Sequence, residues 1–129
     1  MSAQLIEVVA IDDVAGHQFP VAVCVTDDVA PGDIYPALLP SGHKLAVYNV
    51  NGEFYVTDDT CSHGEASLSE DGMLEGTEVE CTWHFGRFDV RTGEACAMPC
   101  THPLRTWGVE VRDGSVWVTG VRPLVGELK

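Results

Sequence analysis

The stretch CSHGEASLSEDGMLEGTEVECTWH, residues 61–84, decides how this chain is interpreted. It begins with Cys-x-His and ends with Cys-x-x-His, so each end offers one sulfur and one imidazole at short spacing. Gly64 directly follows the first histidine, and Gly86 lies two residues after the second. Because glycine lets the backbone turn tightly and bring its N–H groups close to a bound centre, both ends are suited to holding one.

Four side chains are the candidate ligands: Cys61, His63, Cys81 and His84. They can be ordinary buried thiols and surface histidines, although two short-spaced pairs in the same order disfavour that interpretation. They can form a structural zinc site, but the common zinc pattern pairs Cys-x-x-Cys with His-x-x-x-His, whereas each pair here mixes the two. They can also hold a [2Fe–2S] cluster in which two histidines replace two cysteines on one iron. An all-cysteine cluster that uses Cys96 and Cys100 leaves both histidines unexplained.

The two halves, Cys61-Ser62-His63-Gly64 and Cys81-Thr82-Trp83-His84-Phe85-Gly86, resemble the two halves of the Rieske motif. The longer text CSHGEASLSEDGMLEGTEVECTWHFGRFDVRTGEACAMP is similar to the ferredoxin components of bacterial aromatic-ring-hydroxylating dioxygenase systems. The resemblance covers nearly the whole chain except residues 26–43, a segment that looks longer than the family usually has. It implies an all-β Rieske fold of stacked antiparallel sheets, with a basal part and a cluster-binding part over about residues 60–104.

The resemblance also implies one Rieske-type [2Fe–2S] cluster per chain, with cysteine ligands on an inner iron and histidine ligands on an outer iron near the surface. Cys61 and Cys81 are then the inner ligands. His63 and His84 are the outer ligands. A proline-containing loop covers the cluster in this family, and Pro99 lies at the matching place, with a fixed φ and no N–H. Four residues are expected beside the cluster: Gly64, Trp83, Gly86 and Pro99.

Two departures from the Rieske proteins of respiratory complexes concern the reduction potential. Those proteins carry a further cysteine in each half, which together form a disulfide, and here Ala66 and Trp83 occupy these positions. They also carry a hydroxyl residue where this chain has Gly86. Between Leu45 and Gly86 the chain has nine Asp or Glu residues and no Lys or Arg. Because fewer hydrogen-bond donors and more negative charge disfavour reduction, we expect a midpoint potential on the order of −150 mV.

The resemblance implies a one-electron carrier that accepts electrons from a flavin-containing reductase and delivers them to a terminal oxygenase. The chain itself is then not an enzyme, and its outer histidines are the exit for the electron. Two alternatives come from other classes of protein. One is a small Rieske subunit of another redox enzyme, and the other is a zinc-stabilised binding module.

The composition limits the partners of this 129-residue chain. Seven basic residues against twenty acidic ones give a formal net charge of −13, which argues against nucleic acid and against an anionic membrane surface. The charge favours association with a basic protein partner. The N-terminus MSAQLIEVVAIDD lacks a signal-peptide pattern, and no stretch approaches the ~20 apolar residues of a transmembrane helix, so we expect a cytoplasmic protein. Five cysteines, an odd number, favour reduced thiols or metal ligands over disulfides.

The pattern of β-branched and aromatic residues predicts one all-β domain over residues 1–129. Eight runs are typical of strands: 5–11, 19–25, Lys44–Val50, Glu53–Asp58, 78–82, 87–90, Thr106–Arg112 and 115–119. Asn51-Gly52 and Asp113-Gly114 predict type I′ hairpin turns, because these turns need positive φ at both central residues. Thr92-Gly93 marks a further turn.

Three weaker expectations complete the interpretation of the sequence. Residues 26–43 contain three prolines and two glycines, which predicts an irregular surface insertion between two strands. In the run 19–25 the odd-numbered residues are expected to share one face of a strand, and Cys24 is expected to be a buried small hydrophobe. Arg87 and Asp89 are expected to form an ion pair beneath the second half of the motif.

Overall fold

The computed structural model describes residues 19–60, 66–81, 86–97 and 103–122. These residues form ten β-strands, one short helix and one 3₁₀ turn. The strands are β1 (Val21–Val25), β2 (Ile34–Leu38), β3 (Lys44–Val50), β4 (Glu53–Asp58), β5 (Gly72–Glu75), β6 (Glu78–Cys81), β7 (Gly86–Asp89), β8 (Ala95–Ala97), β9 (Thr106–Arg112) and β10 (Ser115–Val121). The helix, α1, is Leu68–Asp71, and the 3₁₀ turn is Thr26–Asp28. No helix in this described part of the chain has the length and apolar character needed to cross a membrane.

Two antiparallel sheets confirm the predicted all-β class. The larger sheet has the strand order β1-β10-β9-β4-β3-β2, and the smaller sheet has the order β5-β6-β7-β8. In the larger sheet, Asn51 and Gly52 have φ of 53° and 94°, and Asp113 and Gly114 have φ of 52° and 76°. Positive φ at both central residues is the signature of the predicted type I′ turns, which close the β3–β4 and β9–β10 hairpins.

Several predicted strand boundaries agree with the structure. The bounds of β3, β4 and β9 are those predicted. β6 ends one residue earlier than predicted, and β7 begins and ends one residue earlier than predicted. The predicted strand 5–11 lies outside the described residues. Strands β5 and β8 were not predicted, because each is short and neither contains a β-branched residue.

The segment 26–43 is not irregular throughout, and that prediction is wrong for Ile34–Leu38. These five residues form β2, which pairs with β3 over its full length. β2 is the last strand of its sheet, and an edge strand can contain proline because one side of its backbone ladder is unpaired. Pro36 therefore fits inside a regular strand, although prolines and glycines at this density are typical of a loop. That residues 26–43 are an insertion remains a prediction.

A β-bulge in β1 breaks the predicted alternation. The register with β10 passes from Ala22↔Trp117 to Cys24↔Val116, so two residues of β1 lie opposite one step of β10. Val23 and Cys24 therefore both pack against the core of the larger sheet. Val25, which the alternation places on the same face as Val21 and Val23, is instead 45% exposed. Cys24 is partly buried, and burial raises the pKa of its thiol to about 11.

Two buried clusters lie on opposite faces of the larger sheet, and β3 contributes to both. The inter-sheet cluster, between the two sheets, contains Ala46, Tyr48, Ala66, Leu68, Val79, Cys81, Phe88, Val90, Ala95 and Leu104. The inner cluster contains Val29, Ala37, Leu39, Leu45, Val47, Val56, Trp107, Val116 and Val118. Alternate residues of β3 enter alternate clusters, because successive side chains of a strand point to opposite faces. The smaller sheet is thereby stacked on one face of the larger sheet, as the resemblance implied.

Candidate metal centre

One candidate ligand, Cys81, lies at one end of the smaller sheet. Cys81 is the last residue of β6, and Gly86, opposite it in the register, is the first residue of β7. The other three candidate ligands, Cys61, His63 and His84, lie outside the described residues. So do three of the residues expected beside the cluster: Gly64, Trp83 and Pro99. The structure describes the framework of residues that flank the segments 61–65, 82–85 and 98–102.

This framework brings the ends of the three segments to the same edge of the smaller sheet. Cys81 pairs with Gly72 of β5 on one side and with Gly86 of β7 on the other. Ala97, the last residue before the segment 98–102, pairs with Arg87, one residue from Gly86. Ser67 is separated from Gly72 by the single turn of α1, so the segment 61–65 ends close to the same edge. The described residues that flank the three segments therefore lie close together at this end of the smaller sheet.

The surroundings of Cys81 fit a ligand of a buried centre. Cys81 is 2% exposed and belongs to the inter-sheet cluster. Both of its cross-strand partners are glycines, so neither neighbouring strand places a side chain beside the thiol. At Gly72 a Cβ would approach the Leu68 carbonyl oxygen to 2.5 Å, so this residue is constrained to be glycine by its contact with α1. Two thiolates and two imidazoles, the donor set of the motif, are the ligands of a Rieske-type [2Fe–2S] cluster.

The segment 61–65 is closed by a buried carboxylate. Asp59, which is 1% exposed, accepts hydrogen bonds from the Ser67 hydroxyl at 2.6 Å and from the Ser69 backbone N–H at 2.8 Å. Its backbone carbonyl accepts from the Leu68 N–H at 2.7 Å, and the Lys44 ammonium lies 3.6 Å from its carboxylate. These contacts tie the residues just before Cys61 to those just after Ala66.

A second carboxylate network lies on the other side of the same strand end. Asp58 accepts hydrogen bonds from the Trp107 indole N–H at 3.0 Å and from the Arg105 guanidinium at 2.8 Å. The His43 Nε2 atom lies 2.9 Å from the same carboxylate, and the Asp58 N–H donates to the Arg105 carbonyl. Because Arg105 follows the segment 98–102, this network ties the return of that segment to the end of β4.

The sequence interpretation missed both networks. Asp58 and Asp59 entered it only as two of the nine acidic residues, and their partners are distant along the chain. The adjacent acidic pair that Thr60 separates from the candidate ligand Cys61 was the available signal. A side chain at the end of a strand next to a candidate metal loop is well placed to support that loop.

The outer face of the smaller sheet carries a different ion-pair arrangement from the one predicted. Arg87 contacts three glutamates, Glu75 at 2.9 Å, Glu78 at 3.3 Å and Glu80 at 3.9 Å. The predicted Arg87–Asp89 pair is wrong, because Glu80 lies directly opposite Arg87 in the neighbouring strand. Asp89 instead accepts hydrogen bonds from the Arg91 side chain, which hold the pKa of its carboxyl below the usual value.

The acidic residues of the motif region are partly neutralised by basic residues from outside it. Lys44 lies within 4 Å of the carboxylates of Asp59 and Glu70. Arg105 pairs with Asp58, and Arg87 pairs with the three glutamates on the outer face of the smaller sheet. Pairing does not bury all of these side chains, since Glu75 is 74% exposed although it contacts Arg87. Within the described residues, no group of three or more His, Cys, Asp or Glu side chains is arranged to hold a metal ion.

Comparison with known proteins gives a consistent result. The family model for the Rieske [2Fe-2S] domain matches residues 19–108. The chain is 61% identical over 121 residues to the ferredoxin component of the p-cumate 2,3-dioxygenase system of Pseudomonas putida, covering 93% of this chain and 98% of that protein. It is 46% identical over 104 residues to ferredoxin CarAc of Metapseudomonas resinovorans, covering 81% of this chain and 96% of that protein.

Solved structures agree with these relatives. A chain in the complex of reduced oxygenase and oxidized ferredoxin in carbazole 1,9a-dioxygenase superposes with a TM-score of 0.76 at 45% identity, covering 84% of this chain and all of that one. The Sphingomonas yanoikuyae B1 ferredoxin superposes with a TM-score of 0.71 at 40% identity, covering 81% of this chain and 99% of that one.

Proposed function

We propose, from the premise that this chain belongs to the Rieske [2Fe–2S] domain family, that it carries single electrons from a flavin-containing reductase to the terminal oxygenase of an aromatic-ring dioxygenase system. The observation that carries the proposal is the 61% identity to a dioxygenase ferredoxin component over 93% of this chain. The [2Fe–2S] cofactor follows from the family, and it replaces the zinc and all-cysteine interpretations, because Rieske centres use two histidines and two cysteines.

Four side chains are the proposed ligands, two on each iron: Cys61, His63, Cys81 and His84. The buried position of Cys81 supports an inner-iron role, and the framework at the end of the smaller sheet supports a centre shared by both halves of the motif. The histidines are assigned to the outer iron, with Pro99 covering the cluster and Gly64, Trp83 and Gly86 beside it. When bound, the cluster stores one electron, and no bond to a substrate forms or breaks.

The chain's own contribution is therefore to bind the cluster, shield its inner side and present its outer side to partners. We propose that the chain is not itself an enzyme and that it acts in the cytoplasm as one domain over residues 1–129. The net charge of −13 supports docking to basic protein surfaces and gives no support for nucleic acid or membrane binding. Association with both redox partners is then fast at low ionic strength and slower at high ionic strength.

The oxygenase partner is proposed to be of the p-cumate 2,3-dioxygenase type. This extension rests on the printed function of the relative with 61% identity. Substrate choice belongs to the oxygenase, so the ferredoxin sequence supports the type of system through its similarity to one component and not through a pocket of its own.

Reconstitution of the electron chain tests the proposal. Purified chain, a flavin-containing reductase, NADH and a p-cumate-type oxygenase are combined, and product formation is measured against the concentration of the chain. We expect turnover to depend on the chain and to be lost with His84→Ala, which removes one ligand. Turnover that is equally fast without the chain, or a chain that the reductase does not reduce, contradicts the proposal.

A further inference from the structure

We propose that Asp59 is a positioning residue for the cluster. Its buried carboxylate holds together the two ends of the first ligand segment, and this contact sets how firmly the chain retains the [2Fe–2S] cluster. The inference rests on the assignment of Cys61 and His63 as ligands in the proposed function.

The two ligand segments are closed in different ways. The segment 82–85 joins β6 to β7, so its ends are fixed by a continuous backbone ladder that includes Cys81↔Gly86. Among the described residues that flank the segment 61–65, strand pairing is limited to the isolated bridge Thr60↔Ser67. A single bridge constrains a loop weakly. The first segment therefore depends on side-chain contacts for the closure that the second obtains from strand pairing.

Asp59 supplies these contacts from a site closed to solvent. One carboxylate oxygen accepts from the Ser67 hydroxyl at 2.6 Å and the other from the Ser69 N–H at 2.8 Å. Hydrogen bonds to an ionised carboxylate are shorter and stronger than those between neutral groups. Ser67 also accepts from the Glu70 N–H at the start of α1, so the same hydroxyl fixes the helix that leads to Gly72. The contact thus connects the residue two before Cys61 to the strand beside Cys81.

Loss of the Asp59 contacts is expected to loosen one ligand segment while the other stays fixed. Two of the four proposed ligands lie within or at the start of the segment 61–65. When this segment opens, the cluster is exposed to solvent and to chelators on that side. The expected consequence is faster release of iron from a protein whose remaining fold is intact.

The experiment measures cluster release from the purified holoprotein. The visible absorbance of the cluster is followed in the presence of excess EDTA, for each variant at the same number of degrees below its own thermal midpoint. We expect release at least tenfold faster for Asp59→Ala and several-fold faster for Ser67→Ala. Ser67→Thr keeps the hydroxyl at a half-buried position, and we expect it to restore release to the wild-type rate.

Asp89→Ala is the matched control. Asp89 also accepts a backbone N–H, that of Arg91 at 2.9 Å, together with a guanidinium, but it lies at the opposite end of the smaller sheet from Cys81. The Asp89→Ala change removes the same kind of hydrogen bonds and leaves both ligand segments unchanged. We expect a lower thermal midpoint and an unchanged release rate at the matched temperature.

Each outcome decides the proposal. Wild-type release from Asp59→Ala, or equally fast release from Asp89→Ala, overturns it. Should Asp59→Ala fail to fold, the pair Ser67→Ala and Ser67→Thr decides instead, and equal release from these two overturns the proposal. A wild-type chain that retains its cluster but fails to support the oxygenase contradicts the proposed function and leaves the role of Asp59 standing.

Discussion

Gly93→Ala is expected to be among the more damaging single-methyl changes in this fold. Gly93 follows β7 with φ of +82°, and a Cβ built there overlaps the carbonyl oxygen of Leu104 and approaches the Thr106 Cγ2 atom to 3.0 Å. The Gly93 carbonyl also accepts from the Leu104 N–H at 2.7 Å. The close approach of the two backbones is thus part of how the chain returns from the segment 98–102 to β9.

The magnitude follows from two separate costs. A residue with a Cβ in the left-handed region costs about 1 kcal/mol relative to glycine. Forcing a methyl group into occupied space costs about 1–3 kcal/mol, toward the upper end here because the obstacle is backbone. The sum is about 2–4 kcal/mol. For a domain of this length about 1 kcal/mol corresponds to about 4 °C, so the thermal midpoint is expected to fall by about 8–16 °C.

The assay is thermal unfolding of the holoprotein followed by circular dichroism, with Gly114→Ala as the control. Gly114 has a similar φ of +76°, but a Cβ there meets nothing within 4 Å. It isolates the conformational cost, so a fall of only about 4 °C is expected. If the two variants unfold at the same temperature, the steric part of the reasoning is refuted.

Three further predictions concern other sites. Trp107→Phe removes the indole donor to Asp58 and is expected to lower the free energy of unfolding by about 1–3 kcal/mol in urea titrations; an unchanged midpoint contradicts the role of this bond. Burial raises the pKa of Cys24 from 9.0 to about 11, so its thiolate fraction at pH 8 is roughly a hundredfold lower. The rate of Cys24 alkylation, followed by mass spectrometry, is therefore expected to be correspondingly low and to rise about tenfold per pH unit up to that pKa. Dye-mediated titration is expected to give a midpoint potential on the order of −150 mV for the wild-type chain, and a clearly positive value contradicts the reasoning. In Gly86→Ser a new hydroxyl that donates to the cluster is expected to raise this potential by about 60 mV. Glu75→Gln is expected to raise it much less.

The parts of the fold that could be predicted are those encoded by neighbouring residues. Asn51-Gly52 and Asp113-Gly114 specify two hairpins, because the turn type follows from two adjacent residues. The predicted strand 78–82 likewise places Cys81 next to a strand end, and β6 ends at this residue. By contrast, β2 was not predicted, because it contains Pro36. A strand can contain proline when it lies at the edge of its sheet, as β2 does. No local pattern reveals which strand will be an edge.

The support of the candidate site could not be predicted for a related reason. Asp58 contacts Arg105 and Trp107, which are 47 and 49 residues away along the chain. Such contacts appear only once β4 and β9 are paired. The bulge in β1 is another non-local feature, since Ala22, Val23 and Cys24 carry no sign of the register change that β10 imposes.

The two carboxylates at the end of β4 change how the acidic character of the motif region bears on the reduction potential. From the sequence alone, the nine acidic residues between Leu45 and Gly86 predict a strongly negative electrostatic potential around the cluster. In the structure Asp58 and Asp59 are paired with Arg105 and Lys44, and they hold loops in place. Arg87 likewise offsets part of the charge of its three glutamate neighbours. The case for a low potential therefore rests more on Gly86, which offers no hydroxyl to donate to a cluster sulfur, than on net charge.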